Sequence, residues 1–430
     1  MAGKNRFKSA LISLILITVL LFGGCGNKTE GISPSVEEIT SLSAAAGFLA
    51  AKVQESGGFI ASEAQREKAS DYAYIYDNAM AAVVLSRAGA QPYAQIIADA
   101  IVFAQTHDRT FQDGRLRNTY NSGDPEADAG RTFASKKATV RIPGFWYNGR
   151  WQEDLYTVST STGNMAWCIL ALCETARNAP EEKASEYIEA AKRAADFVLT
   201  LRSDSGGFTA GYEGWDDAQV KVTYQSTEHN IDLYCAFTAM ADAVASSDPA
   251  LSAQYALAAE YARSFVMSMY DEDLHCFYTG TEDDGLTISR GVIPLDTNSL
   301  PILAFTGDLA DAAEILAFVE ERMSVDDGFD FSAGDLDGIW NEGTAQMAVC
   351  YLLTGDREKY ERIMDYLGTQ VLEDGSITAA DKDALSTGFI ISGTDDLWVY
   401  NNEQSIGATC WLAFAQLGIN PFDPSIQDPQ

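Results

Sequence analysis

The stretch Tyr74–Leu85, YIYDNAMAAVVL, opens with polar residues and continues almost wholly apolar. Five further segments repeat this pattern: Ser161–Leu172 (STGNMAWCILAL), Ser226–Phe237 (STEHNIDLYCAF), Leu295–Phe305 (LDTNSLPILAF), Trp340–Leu353 (WNEGTAQMAVCYLL) and Asn401–Phe414 (NNEQSIGATCWLAF). A helix that is apolar on all sides must be enclosed by other elements. The six segments therefore predict six enclosed helices.

Amphipathic segments such as PYAQIIADAIVFAQ and EKASEYIEAAKRAADFVL alternate with these helices, and each has one polar face suited to an outer wall. A short turn with a glycine or an aromatic residue, such as Gly57-Gly58-Phe59 or Gly328-Phe329, precedes each enclosed helix. Six inner and six outer helices predict an all-α fold, an (α/α)6 toroid of six helical hairpins with short strands and long loops at one end.

This repeat replaces the roughly three domains that the length of 430 residues alone suggests. The predicted organisation is a lipoprotein signal peptide (1–24), a lipidated cysteine and tether (25–34), one barrel domain (35–420) and a C-terminal tail (421–430).

The N-terminus carries export signals. Lys4, Arg6 and Lys8 precede an apolar stretch, Ala10–Phe22, that is too short to span a bilayer core. The following Gly23-Gly24-Cys25 resembles the lipobox of bacterial lipoproteins, which implies cleavage before Cys25, modification of Cys25 with lipid such as palmitate, and anchoring on the outer face of the cell membrane. The alternative is an ordinary secreted protein in which Cys25 is incidental.

The charge balance excludes some partners. The chain has 62 Asp and Glu against 29 Lys and Arg, and removing residues 1–24 takes away three positive charges and no acidic one, so the net charge falls from −33 to −36. Nucleic-acid binding needs a basic surface, so it is excluded, and membrane contact is expected through the anchor only. A monomer is expected.

Cysteine and histidine usage argues against metal and disulfide chemistry. The other six cysteines are scattered over separate segments, so we expect buried, reduced thiols rather than a disulfide framework. With three histidines and no Cys-x-x-Cys pair, a Cys/His zinc site is not expected, and the prediction includes no metal and no cofactor.

One end of the toroid is the candidate binding mouth. The turns place all six inner N-termini at the same end, where the long segments 117–161 and 207–225 are rich in Tyr, Trp, Gly and Asp. Binding groups tend to lie on loops above a rigid scaffold.

With these repeats, the chain resembles the six-hairpin glycosidase superfamily, over nearly its whole mature length. The strings STEHNIDLY and WNEGTAQMA resemble those of bacterial exported proteins of this class. The resemblance implies a carbohydrate substrate and assigns no catalytic residue.

Acids that open the inner helices are candidates for catalysis. Asp77, Glu228 and Glu342 lie near the start of alternate inner helices, with Asp296 and Glu403 at similar places in the other hairpins. Helix spacing predicts a gap of roughly 7–9 Å between such carboxyl groups, as in inverting glycosidases. For each acid, capping of the helix is the alternative role.

Roles for three of these acids follow from their neighbours. Glu342, next to Trp340, is the candidate general acid, and Glu228, beside His229, is the candidate base, although the reverse assignment is open. Asp77, beside Tyr76, would hold a sugar hydroxyl or orient water.

Aromatic side chains at the mouth would stack on sugar rings, since sugars present C–H faces to such rings. The candidate substrate-binding residues are Tyr76, Trp146, Trp151, Trp215, His229, Asn298, Trp340 and Trp398, and packing of loops onto the barrel is the alternative for the tryptophans. Trp167 and Trp411 lie within inner helices and are predicted to be core.

The leading hypothesis is an exported, lipid-anchored glycoside hydrolase that acts on oligo- or polysaccharide through paired carboxyl groups, with inversion. The alternative is a non-catalytic glycan-binding lipoprotein of an exopolysaccharide system. The acidic charge and the scarcity of histidine count against a polysaccharide lyase.

Overall fold

The computed structural model describes residues 42–62, 71–126, 139–391 and 395–423. These residues belong to one compact unit within residues 34–430. The predicted signal peptide, Cys25 and the tether lie outside the described residues, as does most of the predicted tail.

Thirteen helices occur in the described residues. They are α1 (Ala44–Ser56), α2 (Ile75–Arg87), α3 (Gln91–Thr106), α4 (Leu155–Val158), α5 (Thr162–Arg177), α6 (Glu181–Leu199), α7 (Thr227–Val244), α8 (Pro249–Ser268), α9 (Asp296–Ala304), α10 (Ala312–Met323), α11 (Asn341–Thr354), α12 (Arg357–Gln370) and α13 (Ile406–Leu417). Except for the single-turn α4, they form six hairpins, each an outer helix followed by an inner one.

The six inner helices are α2, α5, α7, α9, α11 and α13. Each packs against the next, and α13 packs against α2, so the ring is closed. Nearly every residue of α5 and α11 is buried, whereas the outer α6 and α12 bury one face each. The structure confirms the predicted (α/α)6 toroid.

A repeated contact fixes each inner helix against the turn that precedes it. Asn78, Asn230 and Asn298 accept the backbone N–H of Ile60, Phe208 and Phe277 and donate to the carbonyl of the same residue. The remaining helices use Met165, Thr344 and Thr409 to accept the N–H of Leu116, Phe329 and Ile377. We call these six side chains the turn clamps.

A second repeated bond links each hairpin to the next around the ring. The N–H of Ile75, Thr162, Thr227, Leu295, Asn341 and Ile406 donates to the carbonyl of Asn118, Ala210, Thr279, Phe331, Ala379 and Ser62, respectively. The last of these bonds joins the sixth hairpin to the first. All six inner N-termini therefore lie at one end, as predicted.

Short strands surround that end. They are β1 (Tyr72–Tyr74), β2 (Thr119–Asn121), β3 (Phe145–Tyr147), β4 (Arg150–Gln152), β5 (Thr160–Ser161), β6 (Gly211–Glu213), β7 (Val220–Lys221), β8 (Tyr270–Asp271), β9 (Cys276–Phe277), β10 (Gly280–Thr281), β11 (Ile288–Ser289), β12 (Ser324–Val325), β13 (Gly328–Phe329), β14 (Ile377–Thr378), β15 (Leu385–Ile390), β16 (Leu397–Tyr400) and β17 (Gln404–Ser405). All pair antiparallel, as β1–β2, β3–β4, β5–β6–β7, β8–β9, β10–β11, β12–β13, β14–β17 and β15–β16.

The core confirms two predictions. Trp167 and Trp411 are buried and contact each other edge to face. The six cysteines of the described residues are free and buried, at positions 168, 173, 235, 276, 350 and 410. No helix in the described parts of the chain is long and apolar enough to cross a membrane.

Candidate active site

The two repeated bonds define which residues are equivalent in the six inner helices. In each inner helix, one backbone N–H donates the bond that links the hairpin to the next. The residue that follows this donor lies two positions before the turn clamp, and we call its place the ring position. The ring positions are Tyr76, Gly163, Glu228, Asp296, Glu342 and Gly407. Three acids therefore lie on three consecutive helices, α7, α9 and α11.

This register corrects the predicted alternation of acids. Asp77 lies one residue beyond the ring position of its helix, so it is not equivalent to Glu228 and Glu342. Asp296 is equivalent to them. Glu403 lies in the loop before α13, four residues ahead of Gly407, which occupies the equivalent place.

Asp77 and Glu342 come together across Gly407. Helix α13 stands between α11 and α2 in the ring, so an acid from each neighbour can reach over its glycine. A Cβ atom built on Gly407 would lie 2.7 Å from Glu342 Oε2 and 3.1 Å from Asp77 Oδ1. The two oxygens therefore lie no more than 5.8 Å apart, the sum of these distances.

Glu342 holds its proton more firmly than an ordinary glutamate. Burial raises the pKa of Glu342 to about 8, with a further increase from the charges of Asp77 and Asp296. The hydroxyl of Tyr76 donates to Glu342 Oε1 at 3.1 Å and opposes this rise in pKa. At neutral pH Glu342 is therefore a protonated carboxyl group beside Asp77.

A second group of acids lies on α7 and α9. Burial and the charges of Asp296, Asp232 and Glu342 raise the pKa of Glu228 well above its ordinary value. Burial and the charge of Asp296 also raise the pKa of Asp232, which lies one helical turn below Glu228. A weak contact from the Trp167 indole opposes this rise. A helix N-terminus lowers the pKa of a nearby carboxyl group, but for Glu228 burial and like charges outweigh this effect.

His229 lies beside the acids as a neutral side chain. Burial lowers its pKa to about 4, and its Nε2 lies 3.3 Å from Ser161 Oγ. Its ring fills the space over Gly163, where an added Cβ would come within 2.6 Å of it. His229 therefore adds no positive charge to the site at neutral pH.

The raised pKa values predict that stability falls as pH rises. In the unfolded chain Glu342 and Asp296 release their protons near pH 4, whereas in the folded chain their pKa values are about 8 and about 7. Between these two pH limits the folded state binds more protons than the unfolded state. The free energy of unfolding therefore falls with rising pH, by about 1.4 kcal/mol per pH unit for each group.

We expect the melting temperature to fall between pH 6 and pH 9, a range in which ordinary surface carboxyl groups no longer titrate. Glu342→Gln should flatten this slope, whereas the exposed Glu358→Gln in α12 should leave it unchanged. A melting temperature that is constant or rises over this range would contradict the assignment.

Aromatic side chains surround the acids at the mouth. Tyr156 in α4 is about 41% exposed and contacts Trp398 edge to face at 5.9 Å. Although part of its surface is exposed, burial of its hydroxyl end raises the pKa of Tyr156 to about 12, and the charges of Asp77 and Glu228 add to this rise. Burial also raises the pKa of Tyr400, and further increases come from the charges of four acids, Glu342, Asp296, Glu228 and Asp77.

The other predicted mouth aromatics lie on surface loops. Trp146 and Trp151 face each other across the β3–β4 hairpin, and both are exposed. Its turn, Asn148-Gly149, has positive φ at both residues, which is the two-residue turn that fits the twist of antiparallel strands. Trp215 is also exposed and donates to the Glu153 carbonyl.

A buried ion network holds these loops in place. Arg117 is fully buried and pairs with Asp108 and Asp216, each at 2.6 Å. Arg109 joins Asp216 to Glu153. Burial would raise the pKa of Asp216, but hydrogen bonds from Arg109 and Arg117 lower it well below the ordinary value. The loops that carry Trp151 and Trp215 are thus tied to the barrel.

Two predicted substrate-binding residues have structural positions instead. Asn298 is fully buried, and its amide is used as the turn clamp of α9, so it has no group left for a sugar. Trp340 is 2% exposed and packs on Phe331 and Tyr400, because the ring lies against Gly343 in the interior.

The acidic string near residue 335 forms a compact cluster. Oxygens of Asp330, Asp335 and Asp337 lie within 4.8 Å of one another. Asp330 accepts the N–H groups of Phe331 and Asp337, and Lys382 pairs with Asp337 at 3.0 Å. These partners account for the cluster as a structured turn.

Sequence reasoning missed Asp232, Tyr156 and Gly407. Asp232 follows Glu228 by four residues, which places both on one face of α7, and this spacing could have revealed it. Gly407 could have been found by aligning the inner helices on their turn clamps. Tyr156 gives no sequence signal, since a loop brings it over the acids.

Comparisons with known proteins support the fold. No protein-family model and no curated protein sequence matches the chain. Among solved structures, a glycosidase in complex with glucose is 16% identical with a TM-score of 0.58, covering 89% of this chain and 98% of the other. A cellobiose 2-epimerase from Bacillus thermoamylovorans is 13% identical (TM-score 0.58; 88% and 97% covered), and an alpha-amylase from Clostridium perfringens is 11% identical (0.55; 86% and 97%). The protein therefore has the (α/α)6 fold of these glycosidase-like structures.

Proposed function

We propose that the protein hydrolyses glycosidic bonds, with Glu342 as general acid and Asp77 as the second carboxyl group. The observation that carries this proposal is the pair itself: two carboxyl oxygens no more than 5.8 Å apart at the mouth, with the pKa of Glu342 raised to about 8. Glycoside hydrolysis requires two carboxyl groups, one of which keeps a proton for the leaving oxygen, and the raised pKa of Glu342 suits that role.

Each member of the pair has a role that follows from its surroundings. Glu342 keeps a proton at neutral pH and donates it to the leaving oxygen of the glycosidic bond. Asp77 attacks the sugar carbon as the bond to the leaving oxygen breaks, and water then hydrolyses the resulting glycosyl ester while Glu342 takes the proton from that water. A separation of at most 5.8 Å is shorter than the roughly 6.5–9.5 Å of inverting enzymes, so it favours this retaining reaction. The sequence-based alternative, in which Glu228 activates a water across a wider gap, would give inversion.

The aromatic side chains support a carbohydrate as the substrate. Tyr156 and Trp398 form an exposed pair beside the acids, and their rings can stack on the C–H faces of a sugar. Trp146, Trp151 and Trp215 are further exposed rings on the loops, which suits a substrate of several sugar units. The folds of the similar glycosidases are consistent with this substrate class.

The test is hydrolysis of a glycan panel by the purified protein, followed by proton NMR of the first product anomer. Retention of configuration is expected. Inversion would contradict the Asp77–Glu342 pair and favour Glu228 as base. An epimerised sugar would overturn hydrolysis as the reaction, and tight binding with no turnover would favour the non-catalytic glycan-binding alternative.

We also propose that the protein is exported and lipid-anchored at Cys25 on the outer face of the cell membrane. The motifs at residues 4–25 support this proposal. In bacterial cells Cys25→Ser should abolish labelling by palmitate and release the protein from the membrane fraction, whereas Asn27→Ser should change neither. Unaltered labelling of the Cys25→Ser protein would contradict the anchor.

A further inference from the structure

Three carboxyl groups of the site are not used by the proposed reaction. Hydrolysis needs two, and Glu228, Asp232 and Asp296 remain on the neighbouring helices α7 and α9. They lie close enough that the charge of Asp296 raises the pKa of both Glu228 and Asp232. We call these three residues the acidic wall.

Two members of the acidic wall have buried carboxyl oxygens without a partner of hydrogen-bond geometry. Asp232 is 1% exposed, and neither carboxyl oxygen has a partner of hydrogen-bond geometry. Asp296 is 9% exposed, and its Oδ1 has no partner. Buried polar groups are nearly always hydrogen-bonded, so unpaired oxygens at a binding site indicate that a ligand supplies the missing donors.

No basic side chain of the described residues compensates the acidic wall. The charges that raise the pKa values of Glu228 and Asp232 come from other acids. The adjacent His229 is neutral at pH 7, because burial lowers its pKa to about 4. The raised pKa values favour the protonated acids, whereas a ligand that brings positive charge and N–H donors would favour their charged forms and pair their oxygens.

The geometry favours an organic cation over a metal ion. Among the described residues, the three acids whose oxygens all lie within 4.8 Å of one another are Asp330, Asp335 and Asp337, and none of them belongs to the acidic wall. The oxygens of the acidic wall are spread more widely than one ion can span. An ammonium group has three N–H donors and can bond one or two of these carboxylates while the rest of the molecule fills the remaining space.

We propose that the site accepts a sugar with a free amino group, whose ammonium is held by Asp296 and Asp232. The inference rests on the proposed function and names the substrate class of the same site. An N-acetylated sugar has the same ring but no charge. A neutral sugar would bring no positive charge to favour the ionised form of these acids, and a uronic acid would add a further negative charge beside them.

The test compares three matched sets of probes. The first set contains glucosamine, galactosamine, mannosamine and the glucosamine tetramer. The second contains their N-acetylated forms, and the third contains their neutral parent sugars. Binding is measured by calorimetry and cleavage of the tetramers by chromatography. We expect at least about tenfold tighter binding of one free amino sugar than of its N-acetylated form. Asp296→Asn and Asp232→Asn should remove that preference, whereas the exposed Asp242→Asn in α7 should keep it.

The outcomes separate the two proposals. Cleavage of neutral or N-acetylated oligosaccharides without any preference for amines would overturn this inference and leave hydrolysis intact. Amine-dependent binding without cleavage of any probe would support the acidic wall and count against hydrolysis. Thermal stabilisation by Ca²⁺ or Mg²⁺ that Asp296→Asn abolishes would overturn the inference in favour of a metal site. Melting curves of both variants establish that they are folded.

Discussion

Glu342→Gln is expected to lower kcat by roughly 10²- to 10⁴-fold, the contribution that a positioned general acid makes. The glutamine side chain has the same size and still accepts the Tyr76 hydroxyl, but it has no acidic proton to give to the leaving oxygen. The substrate's KM should change far less than kcat, because the amide preserves the shape of the site.

The matched control is Glu403→Gln. Sequence patterns placed Glu403 at an inner-helix start, but it lies in the loop before α13. The control should therefore retain kcat. Full activity of Glu342→Gln, or an equal loss in both variants, would show that Glu342 is not the proton donor.

Gly407→Ala is expected to reduce kcat by roughly tenfold to a hundredfold while the protein stays folded. The added methyl group would lie 2.7 Å from Glu342 Oε2 and 3.1 Å from Asp77 Oδ1, closer than carbon and oxygen approach, so at least one carboxyl group must move. A displacement of about 1 Å is sufficient for a loss of this size. The backbone of a helix accepts alanine readily, so the loss arises at the carboxyl groups.

Gly368→Ala in α12 is the control for this substitution. A Cβ at that helical position meets nothing within 4 Å. It should leave kcat unchanged and raise the unfolding free energy by about 0.5–1 kcal/mol, because alanine restricts the unfolded chain. If Gly407→Ala retains full activity, the close approach of the two acids over Gly407 has no part in catalysis.

The fold could be predicted because its repeat is visible in the pattern of apolar and polar residues. An inner helix such as α5 is apolar on every side and an outer helix such as α6 on one face only, so the two classes separate by pattern. Six repeats of the pair leave few ways to enclose all six inner helices, and the closed ring is one of them.

The register of the acids could not be predicted with the same success. It depends on the turn clamps, and chemically different side chains perform this role: Asn78 in one helix, Met165 in another, Thr344 in a third. Because no single residue type marks the position, Asp77 was aligned with Glu342 although it lies one residue further along. Long-range contacts rather than local pattern set the geometry of the site.

Burial also outweighs one electrostatic effect of the helix. A helix N-terminus favours the charged form of a carboxylate, so Glu228 alone at the start of α7 would have a low pKa. In the folded ring several acids share a space without a basic neighbour, so desolvation and repulsion raise the pKa instead. The sequence shows each acid alone, whereas its pKa depends on how many others the fold brings beside it.

The most direct test of the account is a titration of the Glu342 carboxyl group, which needs no knowledge of the substrate. Infrared difference spectra between the wild type and Glu342→Gln, recorded across pH, isolate this carboxyl; the same pair in an Asp77→Asn background removes the neighbouring charge. We predict a pKa of about 8 in the wild type and a lower value in the Asp77→Asn background. A pKa near 4.5 that does not respond to Asp77→Asn would contradict the proposed acid and its partner.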